Sequence, residues 1–139
     1  MKLHLNRISR EVSKQTREIS SIKKYFLVEI QKPRTFLNKP LIFAKSEISE
    51  DDCWDKFAIG STNDHRTRKP SINRIKRIHW ISLLIDYIVR NNYVSLSSDI
   101  TYSVNGNEHI IYVISEKYKI VIREANNVMI VVTAFPENI

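Results

Sequence analysis

The sequence predicts an α+β protein in which N-terminal helices pack on a C-terminal four-stranded antiparallel sheet. Apolar residues recur at helical spacings of three and four up to about residue 92, and after Tyr93 they alternate with polar residues or run together. Isoleucine and valine dominate the apolar positions from Ile100 to Phe135, which favours strands there. With 139 residues, 42% of them hydrophobic, the chain suits one domain, residues 1–139, with helices in about 1–92 and a β-meander in about 93–136.

The first predicted helix runs from about Ile8 to Tyr25. Its apolar residues fall on one stripe among charged and polar ones: Ile8, Val12, Ile19 and Ile22. The following residues, Phe26 to Ile30, are interpreted either as a short strand or as the end of this helix. Pro33 and Pro40 predict a loop, and the brief apolar run from Leu41 to Ala44 predicts a strand.

A second helix is predicted to begin after Ser49. Three acids follow this serine, and acids in a first turn interact favourably with the helix dipole. Trp54 and Phe57 can face the core together, and Gly60 is expected to end the helix. The single cysteine, Cys53, is expected to be a buried structural thiol.

The segment from Asn63 to Trp80, called the basic segment below, carries most of the net positive charge of the chain. It contains six Lys or Arg residues and two histidines but one acid, Asp64, in a chain whose net charge is +7. Such a segment repels itself unless an anion lies against it, and phosphate is the usual candidate. The two imidazoles add groups that can move protons near neutral pH.

A third helix is predicted from Ser71, as N-cap, to Asn91. Isoleucine recurs in it every three or four residues, at Ile75, Ile78, Ile81, Ile85 and Ile88. Three cations in its first turns oppose the helix dipole: Arg74, Lys76 and Arg77. A phosphate bound at the start of the helix would relieve that conflict.

The remaining residues predict four strands joined by short turns. Asn105-Gly106 is the preferred pair for a two-residue type I′ turn, Glu116-Lys117 predicts a second turn, and 125–127 a third. The last strand, from Val128 to Phe135, is apolar at nearly every position and is expected to be central or covered on both faces. Thr133 is its polar exception.

Several classes of protein are excluded or disfavoured. One cysteine cannot form an internal disulfide, no cluster has the spacing of zinc ligands, and no cofactor or metal is expected. The longest apolar run, Ile78 to Val89, is interrupted by polar residues and is too short to span a bilayer. We therefore expect a cytoplasmic protein without membrane contact.

Metal-independent RNA cleavage matches the chemistry of the basic segment. The ribose 2′-hydroxyl must lose a proton, the charge of the phosphorane must be neutralised, and the leaving oxygen must gain a proton. His65 or His79 can transfer protons, while Arg66, Arg68 and Lys69 can neutralise charge. The structural alternatives are an exposed loop histidine at 65, a core histidine at 79 and, for Thr133, a simple strand former.

The chain resembles the barnase/EndoU/colicin/RelE-like ribonuclease superfamily, in its phage- and toxin-associated branch. The resemblance lies in the order of helices before a four-stranded sheet and in three short sequences: Asp64-His65-Arg66-x-Arg68, Arg77-Ile78-x-Trp80-Ile81 and Val131-Val132-Thr133-Ala134-Phe135-Pro136. It implies that His65 is the acid/base, that Arg66 and Arg68 stabilise the phosphate, and that Thr133 donates a hydrogen bond in the transition state. A firmly placed second histidine is missing, and arginine stands where some members have lysine.

The resulting hypothesis is a small endoribonuclease that cleaves tRNA or mRNA and is restrained by an acidic antitoxin or immunity protein. Its further RNA contacts are assigned to Lys69, Arg74, Lys76, Arg77, His79 and Phe135. One alternative is a non-catalytic nucleic-acid-binding module that uses the same basic surface. The other is a protein-binding domain whose basic segment docks an acidic partner.

Overall fold

The computed structural model describes residues 19–59, 72–94 and 97–137. In these ranges it contains three helices of nine residues or more and one four-residue helix. The helices are α1 (Ile19–Gln31), α2 (Glu50–Ala58), α3 (Ile72–Ile75) and α4 (Ile78–Arg90). The strands are β1 (Thr35–Phe36), β2 (Lys39–Phe43), β3 (Ile100–Asn105), β4 (Glu108–Val113), β5 (Tyr118–Glu124) and β6 (Met129–Pro136).

The six strands form one mixed sheet in the order β1-β2-β6-β5-β4-β3. Strands β3 to β6 make the predicted antiparallel meander, but β2 lies parallel to β6 and brings β1 with it. The prediction of a four-stranded antiparallel sheet is therefore wrong. The chain is α+β with a six-stranded mixed sheet that curls into a half-barrel.

The parallel pair explains the error. Leu41, Ile42 and Phe43 pair with Met129, Ile130 and Val131, so the apolar run that predicted an isolated strand joins the far end of the chain. Parallel strands require a crossover, and here the intervening helices and strands supply it. Strand β6 consequently has a neighbour on each side, β2 and β5, which fits its nearly continuous apolar sequence.

Strands β1 and β2 form a tight hairpin where the sequence predicted a loop between Pro33 and Pro40. Its two connecting residues, Leu37 and Asn38, have positive φ angles of 51° and 66°. Positive φ at both central positions is the requirement of a type I′ turn, whose twist matches that of paired strands. The hairpin thus adds β1 as the edge strand of the sheet.

Phe36 of this hairpin joins the two edges of the curled sheet. Its side chain is fully buried, and its ring centre lies 6.0 Å from that of Tyr102 on β3 and 5.8 Å from that of His109 on β4. Because β1 and β3 are the first and last strands in the sheet order, these contacts require the sheet to curl. The hairpin closes one end of the core.

The helices cover one face of the sheet, the core face. Trp80 of α4 meets Tyr118 of β5 with ring centres 5.2 Å apart, and Phe26 of α1 meets Phe43 of β2 at 5.8 Å. The opposite face, called the outer face, carries half-buried or exposed side chains. On the meander strands these are Thr101, Ser103, Glu108, Ile110, Tyr112, Lys119, Val121, Arg123, Ile130, Thr133 and Phe135.

A β-bulge in β6 decides which of its residues reach the outer face. Val121 of β5 pairs with Thr133, whereas the next residue, Ile122, pairs with Val131, so Val132 is an extra residue. A bulge of this kind inserts one residue and shifts the alternation of the side chains. Val131 is buried before the bulge and Ala134 after it, which leaves Thr133 facing outward.

The N-terminus of α2 follows the prediction. The Ser49 side chain accepts a hydrogen bond from the backbone N–H of Asp52, 3.0 Å away, as an N-cap does. We expect Ser49→Ala to lower the free energy of unfolding by about 1 kcal/mol, because one N–H loses its acceptor. Urea titration measures the loss. Ser46→Ala, with its serine in the preceding turn, is the control, and an equal loss in both variants would contradict the capping role.

The predicted helix from Ser71 to Asn91 is interrupted. Ser71 lies outside the described residues, and the remainder divides at Lys76 and Arg77 into α3 and α4. The backbone at Arg77, with φ −109° and ψ 6°, leaves the helical region. The prediction of one continuous helix is wrong here.

The other helices and turns agree with the sequence in most respects. The predicted first helix covers residues outside the described ranges up to 18, and from Ile19 it is helical through 26–30 to Gln31. The expected end of α2 at Gly60 also lies outside them. The first meander turn is displaced by one residue: Asn105 pairs with Glu108, and the connection is Gly106-Asn107, with φ of 62° at the glycine.

Candidate nucleic-acid interface

The structure describes only part of the predicted site. His65, Arg66, Arg68 and Lys69 lie outside the described residues. The other six predicted residues lie within them: Arg74, Lys76, Arg77, His79, Thr133 and Phe135. The geometry divides these six into a group beside the outer face and a group packed among the helices.

Thr133 and Phe135 lie on the outer face of β6. Both are half-buried and point to the same side, because they are two residues apart and follow the bulge. A hydroxyl and an aromatic ring are thus neighbours on a partly exposed surface.

Arg74 of α3 adds a cation beside this pair. Its Nη1 donates to the carbonyl oxygen of Ala134 over 3.3 Å, and its guanidinium carbon lies 5.7 Å from the centre of the Phe135 ring. The contact is possible because β2 pairs with β6 only as far as Val131. Burial lowers the pKa of Arg74, but an arginine remains charged in proteins.

Arg77 has a different environment. Its guanidinium lies 5.3 Å from the Trp80 ring centre and 3.4 Å from the Glu116 carboxylate, and its side chain is 12% exposed. Its carbonyl oxygen also accepts from the hydroxyl of Tyr118, at 3.4 Å. These contacts fasten the junction of α3 and α4 to the sheet. The neighbouring Lys76 is half-buried.

His79 lies between α1 and α4. Its ring stacks on that of Tyr25 with centres 4.0 Å apart, and its Nδ1 is buried without a hydrogen-bond partner among the described residues. Burial lowers the pKa of His79, and the weaker influence of Glu29 opposes that shift. This environment supports the structural alternative for His79, a neutral packed ring.

A second buried histidine, His109, was left without a role in the sequence analysis. Its Nδ1 lies 2.7 Å from the hydroxyl oxygen of Tyr102, and 5% of the residue is exposed. Burial lowers the pKa of His109. Two smaller influences act on it as well: Glu124 raises this pKa and Lys39 lowers it. It belongs to the closed aromatic cluster around Phe36.

These two histidines make the stability depend on pH. Each has a folded-state pKa below its ordinary value of 6.5, so below about that pH the unfolded chain binds more protons than the folded one. The free energy of unfolding should therefore fall as pH decreases from 7.5 to 5.5. Urea titrations at both values measure the fall.

His109→Asn tests the contribution of one histidine, because asparagine can replace Nδ1 as a partner of Tyr102 but does not titrate. The fall in stability between the two pH values should be smaller in this variant. Tyr102→Phe, which keeps the titrating ring, is the control and should retain most of the fall. An unchanged pH dependence in His109→Asn would contradict the assignment.

Two outer-face residues beside the site, Lys119 and Tyr112, were not predicted from the sequence. Lys119 of β5 pairs with Phe135 on one side and with Tyr112 of β4 on the other, so the three form a cross-strand row. Lys119 makes no ion pair with any other residue in the described ranges. The signal that could have found this row is the register, which follows from the lengths of the turns.

Other chemistry finds little support in the described ranges. No group of three or more Cys, His, Asp or Glu side chains among those residues could hold a metal ion. Cys53 is fully buried, as expected, and burial raises its pKa to about 12, which makes it a poor nucleophile at neutral pH. Among the same residues, no helix is both long and apolar enough to cross a membrane.

A scan against protein-family models and searches of the curated proteins and the solved structures found no match to this chain. The outer face of β6, with Arg74 beside it, is the described surface that carries predicted site residues in contact with one another.

Proposed function

We propose that this protein is a metal-independent endoribonuclease that binds RNA on the outer face of its sheet. The observation that supports it most is the contact of Arg74 with Phe135, 5.7 Å from guanidinium carbon to ring centre. It connects the C-terminal half of the basic segment to the strand that holds Thr133. Two sequence features assigned independently to RNA cleavage therefore meet.

The covalent chain limits how far the rest of the basic segment can lie from this surface. Arg68 is six residues before Arg74 in the sequence. A fully extended chain of that length spans at most about 22 Å. One bound RNA of several nucleotides could therefore contact both Arg68 and Arg74.

The proposed reaction is attack of a ribose 2′-hydroxyl on the adjacent phosphate. His65 removes the proton from the hydroxyl, the bond between phosphorus and the 5′-oxygen breaks, and the leaving 5′-oxygen takes a proton from solvent water. Arg66 and Arg68 neutralise the phosphorane, and Thr133 donates a hydrogen bond to it. The products are a 2′,3′-cyclic phosphate and a 5′-hydroxyl. Proton transfer and charge stabilisation each typically accelerate such a step by about 100-fold or more.

The described histidines favour His65 for the acid/base role. His79 stacks on Tyr25 and His109 packs against Phe36 and Tyr102, and burial lowers the pKa of each histidine. Both rings lie on the side of the sheet that the helices cover, so they are poorly placed to exchange protons with RNA on the outer face. His65 stands in the polar, basic part of the sequence, where a substrate phosphate would be expected.

The proposal includes a cellular setting. Substrates would be tRNA or mRNA in the cytoplasm, and the protein would be a phage- or toxin-like factor. A net charge of +7 suits nucleic acid and would also suit an acidic antitoxin or immunity protein that covers the same surface.

Cleavage of total RNA in EDTA, with wild type and His65→Ala compared, tests the proposal. Wild type should give discrete fragments with 2′,3′-cyclic phosphate ends, and the variant should cleave about 100-fold more slowly because it lacks the acid/base group. His4→Ala is the matched control, since His4 has no role in the proposed chemistry. RNA affinity should be similar in all three proteins.

Each other outcome contradicts part of the proposal. Equal cleavage by wild type and His65→Ala would exclude His65 as the acid/base. RNA that stays intact but bound would favour the nucleic-acid-binding module, whose affinity falls with salt as counterions are released. If the protein neither cleaves nor binds RNA, the remaining alternative is a protein-binding domain that docks an acidic partner.

A further inference from the structure

The row Phe135–Lys119–Tyr112 on the outer face has the composition of a single-strand binding surface. Its members come from β6, β5 and β4 and are directly opposite one another in the register. All three side chains are half-buried, so their outer surfaces remain accessible. Two aromatic rings thus flank one lysine across three adjacent strands.

The spacing of the row suits unpaired nucleotides. Neighbouring strands lie about 4.8 Å apart, which separates Phe135 from Tyr112 by about 10 Å with Lys119 between them. Proteins bind single strands by stacking bases on aromatic rings while cations contact the backbone. A paired strand cannot present its bases in this way, because they are already stacked inside a duplex.

The charge on this face favours a polyanion. Lys119 has no ion-pair partner in the described ranges, and Arg74 places a second cation beside Phe135. Arg123, on the same face, is neutralised by Glu108 at 3.3 Å. The row therefore lies in a positive environment, as a phosphate backbone requires.

The aromatic cluster around Phe36 lacks the features of this row. Phe36 and His109 are buried, and the half-buried rings of Tyr93 and Tyr102 pack around Phe36. The hydroxyls of these two tyrosines are engaged within the cluster, with the backbone N–H of Leu37 and with His109 Nδ1. The exposed apolar residues elsewhere are single ones: Val28, Ile48, Val94, Val104 and Ile114.

We propose that the Phe135–Lys119–Tyr112 row binds an unpaired RNA segment, with one base stacked on each ring and the intervening phosphate on Lys119. This inference rests on the proposed function and specifies its substrate: the RNA is single-stranded where it meets the sheet. Duplex RNA would contact the basic residues but not the two rings. The base next to Phe135 would lie beside Thr133, close to the proposed reaction.

Fluorescence anisotropy with a labelled ten-nucleotide RNA of mixed sequence, single-stranded or in a duplex, tests this inference. The proteins carry His65→Ala to prevent cleavage. The single strand should bind more tightly than the duplex. Tyr112→Leu and Phe135→Leu should each weaken single-strand binding by about 5- to 150-fold, the loss of one base stack, and change duplex binding little.

Further variants separate stacking from charge and from folding. Tyr112→Phe, which keeps the ring, should retain the affinity that Tyr112→Leu loses. Lys119→Gln should reduce the slope of log affinity against log salt by about 0.7, the value for one phosphate contact on a single strand. Ser103→Ala, on the same face outside the row, is the control, and circular dichroism verifies that each variant is folded.

The outcomes distinguish this inference from the proposed function. If wild type cleaves RNA but the two leucine variants bind the single strand as tightly as their parent, the row is not the binding surface and the ribonuclease proposal stands. If the variants lose affinity while wild type does not cleave, the row is supported and catalysis is contradicted. Equal affinity for single strand and duplex would overturn the inference.

Discussion

Replacement of Phe36 by alanine is expected to lower the free energy of unfolding by about 3–5 kcal/mol, the range measured for buried phenylalanines. The Phe36 side chain is fully buried and contacts three rings, those of Tyr93, Tyr102 and His109, at 5.0–6.0 Å between centres. Two of them belong to strands at the opposite end of the sheet order. Removal of the Phe36 ring would leave a cavity where the curled sheet closes.

Phe135→Ala is the matched control for this prediction. It makes the same chemical change on the half-buried outer face, where solvent can fill the space, so a loss of about 1 kcal/mol is expected. Urea titration measures both variants. Equal losses would mean that Phe36 does not hold the edges of the sheet together.

A conservative variant keeps the prediction testable if Phe36→Ala does not fold. Since the stability of a domain is typically about 5–15 kcal/mol, a loss at the upper end could unfold the chain in buffer. Phe36→Leu keeps most of the volume and should cost less than about 1.5 kcal/mol. A Phe36→Leu variant as stable as wild type would contradict the packing argument.

Local signals predicted the parts of the fold that depend on neighbouring residues. Ser49 was recognised as an N-cap because acids follow it, and the meander strands because short turn sequences separate them. The displaced turn at Gly106 is an error of one residue, since glycine there can occupy either central position of a hairpin turn. These local signals were also sufficient to predict the α+β class.

Non-local pairing could not be read from the sequence. The partner of Phe43 is Val131, far along the chain, and five consecutive residues in β2 contain no information about which strand they join. The break before α4 could not be predicted either, because it also depends on non-local contacts. Regular isoleucine spacing predicted one helix, whereas the contacts of Arg77 with Trp80 and Glu116 are tertiary and accompany a non-helical backbone.

The prediction of the candidate site was limited in the same way, because its geometry depends on contacts between residues far apart in the sequence. The sequence located a cluster of cations but could not separate Arg74, beside the outer face, from Arg77, packed against Trp80 and Glu116. Lys119 and Tyr112 carry no local signal, because each is one residue in an ordinary strand. Their relation to Phe135 exists only through the register of the sheet.

Deletion of Val132 tests how Thr133 and Phe135 come to face outward. Val132 is the extra residue of the bulge, so without it the pairs Ile122–Val131 and Val121–Thr133 would be consecutive in one regular register. Alternation along a regular strand places Thr133 on the face opposite to Val131. Thr133 and Phe135 would therefore stay on the outer face, and Ala134 would stay in the core.

We expect this deletion to change the free energy of unfolding by about 1 kcal/mol, because it removes one half-buried side chain and leaves the buried residues of β6 on the core face. Urea titration followed by circular dichroism measures the change. Val132→Ala, which keeps the residue count and therefore the bulge, is the control and should cost a similar amount.

The deletion also tests whether Phe135 stays on the outer face without the bulge. RNA affinity of the deletion variant should be close to that of wild type, because the regular register keeps the ring on that face. Val132→Ala should bind RNA as wild type does. A deletion variant whose affinity falls to that of Phe135→Leu would show that β6 shifts its register, and the outward position of Thr133 and Phe135 would then depend on Val132.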